Sequence, residues 1–93
     1  MLFVYPAIFH KEGNSYWAEF PDLPGCFTYG SSINETMEAA QEALSAYMLT
    51  LLEQSKEISA PSDISAFKVD DGFATLVSCD ISHYKETKSV KKP

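Results

Sequence analysis

At 93 residues the chain is long enough for one small hydrophobic core and too short for two. With 45% hydrophobic residues it is not a disordered segment, and no apolar stretch approaches the roughly 20 residues that cross a bilayer. The net charge of −6, without a single arginine, argues against a phosphate-gripping surface and fits either a surface that attracts a basic protein or solubility alone.

The charge is unevenly spread. Residues 1–84 hold three lysines and twelve acidic residues, a net −9, whereas the tail 85–93, KETKSVKKP, carries +3. The opening MLFVYPAIFHKEG has no basic stretch followed by a small-residue cleavage site, so it reads as a first strand of a cytoplasmic protein. Cys26 and Cys79, 53 positions apart, form no metal or redox motif and read as free thiols in small apolar gaps.

Residues 2–10, LFVYPAIFH, are aromatic and β-branched with no helical period, which predicts a strand. Pro6 lacks an N–H and demands an edge position or a bulge. KEGN is hairpin-turn chemistry at Gly13 and Asn14. SYWAEF (15–20) alternates, placing Tyr16, Ala18 and Phe20 on one face and Trp17 and Glu19 on the other. PDLPG (21–25) is a stiff corner, in which Asp22 can close an Asx-turn and Gly25 supplies an unusual backbone angle. CFTYG (26–30) is a third strand.

SSINETMEAAQEALSAYMLTLLEQS (31–55) predicts a long amphipathic helix. Ser32 and Glu35 fit the capping box; Ile33, Met37, Ala40, Leu44, Tyr47, Met48 and Leu51 form the apolar stripe; Glu35, Glu38, Gln41, Glu42 and Ser45 face solvent. Residues 56–72 read as a polar connector, with Pro61 stopping the helix, and FATLVSCDIS (73–82) as a fourth strand. The order is β-β-β-α-β: an α+β layer pair with an antiparallel meander, one crossover helix and a fourth strand that can return beside the first, the crossover being what a parallel return requires. One sheet face stays uncovered, with Trp17 and Tyr5 on it, and calls for a partner or a second copy of the chain.

A tyrosine–proline pair in strand one followed by SYWAEFPDLPGCFTYGSSINETMEAAQEALSAYM resembles the N-terminal domain of the HicB antitoxin family. The resemblance spans about residues 1–84, and its most specific part is FPDLPGC followed by a strand, a glycine, a hydroxyl cap and an E/A-rich helix. It implies a partial ribonuclease H-like fold and a non-enzymatic antitoxin that occludes the active site of a small basic ribonuclease, the HicA toxin. Full-length members carry a C-terminal DNA-binding segment of ribbon-helix-helix or helix-turn-helix type. This chain stops at SVKKP, about where that segment would start, so DNA binding is expected only through residues that are absent here.

The residues leave other chemistries to weigh. A two-metal nuclease would draw on Glu19, Asp22, Asp70, Asp71 and Asp80, yet strand one carries Val4, Tyr5 and Ala7 where such a site needs a mid-strand carboxylate. His10 and His83, or Cys79 with His83, would meet at one end of the sheet if strands one and four ran parallel, but no third ligand pattern accompanies them. Cys26 has no lysine or histidine nearby in sequence to activate it. A stand-alone regulatory or ligand-binding domain is the remaining alternative. No cofactor and no metal is expected. The candidate partner-binding residues are Trp17, Glu19, Asp22 and Leu23: an aromatic anchor, two acids, and the tip of a corner that costs little to order. Trp17 reads equally as a core or dimer residue.

Overall fold

The computed structural model describes residues 2–81, so His83 and the lysine-rich tail lie outside it. The strands are β1 (Leu2–Glu12), β2 (Ser15–Glu19), β3 (Phe27–Gly30) and β4 (Gly72–Asp80); the helix α1 is Ile33–Glu53, and one turn of 3-10 helix, η1, is Ile64–Ala66. They form one antiparallel sheet in the order β3-β2-β1-β4, with α1 across one face.

The two-residue loop Gly13–Asn14 sets the first register. Gly13 takes φ 61, as a turn with glycine at its first central position requires. Glu12 therefore faces Ser15, His10 faces Trp17 and Ile8 faces Glu19. Period-two alternation then sorts the side chains as expected: Phe9, Ala18 and Phe20 are buried on the helix side, and Trp17 and Glu19 stand on the outer face. Pro6 sits where β2 no longer runs beside β1, so this central strand is locally an edge and the missing N–H costs no ladder bond there.

The core joins Tyr5, Ala7, Phe9, Ala18, Phe20 and Leu23 to Ala40, Leu44 and Met48 of α1 and to Val77 and Cys79 of β4. Phe9 stacks on Phe73 with ring centroids 5.0 Å apart. Both cysteines are free and buried. Burial pushes the Cys26 thiol up to about 11 and raises that of Cys79, so neither is an activated nucleophile.

Several expectations need correction. β4 returns beside β1 but runs antiparallel to it, with Leu2 opposite Asp80 and His10 opposite Gly72. The helix carries the chain to one end of the sheet and the connector carries it back before β4 begins. Ile64, Phe67 and Val69 are half-buried along that path, and η1 packs against β4. Tyr5 is not on the open face: it is buried on the helix side, where its hydroxyl donates to the carbonyl of Ser59. Ser45 is buried and hydrogen-bonded with Cys79, Gln41 reaches the carbonyl of Ser78 (3.3 Å), and Ile33 is 45% exposed.

The helix ends are set by local chemistry. Glu35 N–H donates to the Ser32 hydroxyl (3.1 Å), while the Glu35 carboxylate accepts from the N–H and hydroxyl of Ser31, both at 2.8 Å, one residue earlier than the usual box. These bonds lower the Glu35 pKa. Pro61 does not stop the helix. The N–H of Ser55 donates to Leu52 and that of Lys56 to Leu51, a Schellman motif with Ser55 at φ 54. A non-glycine residue is strained there, so Ser55→Gly is expected to stabilise the protein by about 1 kcal/mol in urea unfolding. An unchanged or lower midpoint would contradict that account of the stop.

Candidate functional site

The outer face of β2 and β3 and the adjoining corner gather the most chemically distinctive exposed residues. The hairpin register places His10 beside Trp17, and the rings stack with centroids 4.2 Å apart at 17°. The His10 Nε2–H donates to Oε2 of Glu19 at 2.7 Å, and Nδ1 lies 3.7 Å from Oδ1 of Asp71. A carboxylate, an imidazole and an indole are thus held in one fixed array by pairing between two strands. Phe27 and Tyr29 of β3 extend it: they meet edge-on at 5.9 Å and are 51% and 66% exposed. Trp17 pairs with Tyr29 and Glu19 with Phe27 across the β2–β3 ladder.

The corner 20–26 is built from its own backbone. Leu23 N–H donates to Phe20, and Cys26 N–H to Leu23. Gly25 takes φ 82, a conformation that side chains resist. The Tyr47 hydroxyl donates to the carbonyl of Pro24 at 3.0 Å, tying the corner to α1. Asp22 does not close a turn on its own backbone. Its carboxylate accepts from the N–H of Ser62 (2.9 Å) and the hydroxyl of Ser62 (2.6 Å), pinning the connector.

The structure therefore divides the four candidate residues. Trp17 and Glu19 belong to one array. Asp22 is half-buried and engaged with Ser62, and Leu23 is buried, so these two hold the corner in place rather than project from it. Trp17, Glu19 and Leu23 do border a common shallow recess of about 180 Å³, with Phe27 on its rim. His10 and Tyr29 were missed as members of the surface. The two-residue loop alone places His10 opposite Trp17, so that part of the signal was present in the chain.

The nuclease candidates do not gather into one cluster. Glu19 and Asp71 flank His10, Asp22 binds Ser62, and Asp80 lies opposite Leu2 at the far end of β1. Cys79 is opposite Phe3, seven residues along β4 from the partner of His10, or roughly 20 Å at strand spacing. The antiparallel return therefore puts Cys79 and His10 at opposite ends of the β1–β4 ladder, and the pairings with His83 lie outside the described residues. Among the described residues, no three His, Cys, Asp or Glu side chains are placed to hold a metal ion. Among the same residues no helix is long and apolar enough to cross a membrane.

Known proteins share this fold. A toxin–antitoxin complex from Streptococcus pneumoniae contains a chain that matches 90% of this one and is itself covered over 73%, with a TM-score of 0.82 and 28% identity. The HicA3 and HicB3 toxin–antitoxin complex contains a chain matched over 99% of its length and 84% of this one, with a TM-score of 0.68 and 26% identity. An uncharacterised 14.9 kDa protein from Haemophilus phage HP1 is 31% identical over 84 residues; the match takes in 86% of this chain and 63% of the phage protein, so the chain spans under two thirds of that relative. The family model described as HicB-like antitoxin of bacterial toxin–antitoxin systems matches residues 5–91, and the chain belongs to that family.

Proposed function

We infer that this chain neutralises a small basic ribonuclease of the HicA type in the cytoplasm by covering its active site. Family membership is the observation that carries the reading, and the charge distribution agrees with it: a ribonuclease must be cationic to hold RNA phosphates, and residues 1–84 carry a net −9. The exposed aromatics of β3 beside the His10–Trp17–Glu19 array give that body a surface with rigid anchors. Trp17 and Glu19 are the candidate residues this surface offers, with Asp22 and Leu23 supporting them from the corner. The protein acts stoichiometrically and needs no cofactor. Exposed Leu2, Val4 and Leu76 support self-association of the same chain through the other half of the outer face.

The test is a search of the neighbouring reading frames for one that encodes a small basic protein, then co-expression with that protein, co-purification and stopped-flow mixing. The association rate is expected to fall about tenfold or more from low to high salt, because opposite fields steer the encounter. A rate flat across the salt series would remove the electrostatic part of the reading. Failure of the two proteins to co-purify would remove the reading itself.

A further inference from the structure

The open edge of β3 has a geometry suited to one kind of partner. The Phe20 N–H donates to the Cys26 carbonyl, which fixes the phase of the β2–β3 ladder. Alternation along an antiparallel strand then turns the backbone groups of Thr28 and Gly30 toward β2 and those of Phe27 and Tyr29 outward. Among the described residues β3 ends the sheet and no strand pairs with its outer side. Two N–H and two C=O groups are thus presented in strand spacing. The other sheet edge is different: there Gln41 already donates to the outward carbonyl of Ser78, and η1 packs against β4.

Beside the β3 edge runs a groove of about 450 Å³ between the strand and α1, lined by Cys26, Phe27, Ala43, Ala46, Tyr47 and Thr50. Its helix wall is low because alanines stand at 43 and 46. Glu42 and Glu53, both exposed, are eleven residues apart, or about three turns, and so share one row along the crown above it. Lys56 closes one end.

The geometry points to β-strand addition: an extended segment of the toxin pairs with the outward backbone of Phe27 and Tyr29 as a fifth strand. This rests on the reading of the chain as an antitoxin and names the surface that does the work. An added strand sends alternate side chains to opposite faces. On the helix side, small apolar residues fill the groove and longer lysine or arginine side chains reach Glu42 and Glu53. On the outer side, apolar residues meet the rings of Phe27 and Tyr29. The acidic crown and the net −9 of residues 1–84 select a cationic segment over an acidic one.

Three variants in the co-expressed pair test it, with binding measured by calorimetry and folding checked by circular dichroism. Ala46→Arg fills the groove from an exposed helical position and repels a cationic strand. Tyr29→Pro removes an outward N–H and spares the β2 ladder. Gln41→Arg places the same charge on the opposite flank of the helix. The first two are expected to weaken binding by at least about tenfold, and the third to leave it within about twofold. In the wild-type complex the Phe27 and Tyr29 amides are expected to exchange at least about tenfold more slowly than in the free chain. Wild-type binding with Ala46→Arg unaffected, or with those two amides unprotected, overturns strand addition and leaves the antitoxin reading standing. No wild-type binding overturns both.

Discussion

Phe9→Ala is expected to cost about 3–5 kcal/mol, the range for emptying a fully buried phenylalanine site. Phe9 has no exposed surface, stacks on Phe73, and lies between Ala18 and Phe73 across its two ladders. It sits in the central strand, so no neighbouring element can close the cavity without breaking a ladder. A domain of this size has roughly 5–14 kcal/mol in total, so the loss is a large share of the whole. Urea unfolding should show the midpoint falling with the slope nearly unchanged. A loss below about 1 kcal/mol would mean that the β1–β4 half of the core is not packed as described.

Gly30→Ala is the second large effect, and its cause is space rather than backbone angle. Gly30 closes β3 against the first turn of α1. A methyl group there would run into the side chain, amide nitrogen and Cα of Thr36, which is itself fully buried. Two of those three contacts are backbone, so the helix start has to move away from the strand. Overpacking of this kind costs about 1–3 kcal/mol. Gly25 is the informative contrast: its φ is 82 and nothing lies near the position of a Cβ, so Gly25→Ala carries only conformational strain. The two substitutions should differ in structure as well as in stability. Gly30→Ala should loosen the amides of the first helical turn in hydrogen exchange, and Gly25→Ala should leave them as they are.

Much of this architecture was legible because it is local. Period two placed Trp17 and Glu19 opposite Ala18 and Phe20, the S-x-x-E pattern marked the start of α1, and Gly13 marked the hairpin. The direction of β4 was not legible. The 21-residue helix spans about 31 Å and delivers the chain to the end of the sheet where a parallel strand would begin. The connector is long enough to return to the other end, and nothing periodic in it says that it does so. The apolar spacing of Ile64, Phe67 and Val69 was the available hint, since a purely solvated linker has no use for it. Tyr5 and Ser45 were misplaced for a related reason. Their burial is decided by Ser59 and Cys79, which are remote in the chain. Of the candidate surface, the hairpin part was readable, whereas the engagement of Asp22 with Ser62 depends on where that connector runs.

Inhibition of RNA cleavage tests the central claim most directly. A small basic ribonuclease that co-purifies with this chain is isolated, incubated with RNA, and titrated with the 93-residue chain in a fixed buffer. The expected result is cleavage that declines in proportion to added chain and stops near stoichiometric equivalence, with no RNA degraded by the chain alone. Cleavage that continues undiminished in the presence of excess folded chain would contradict the account.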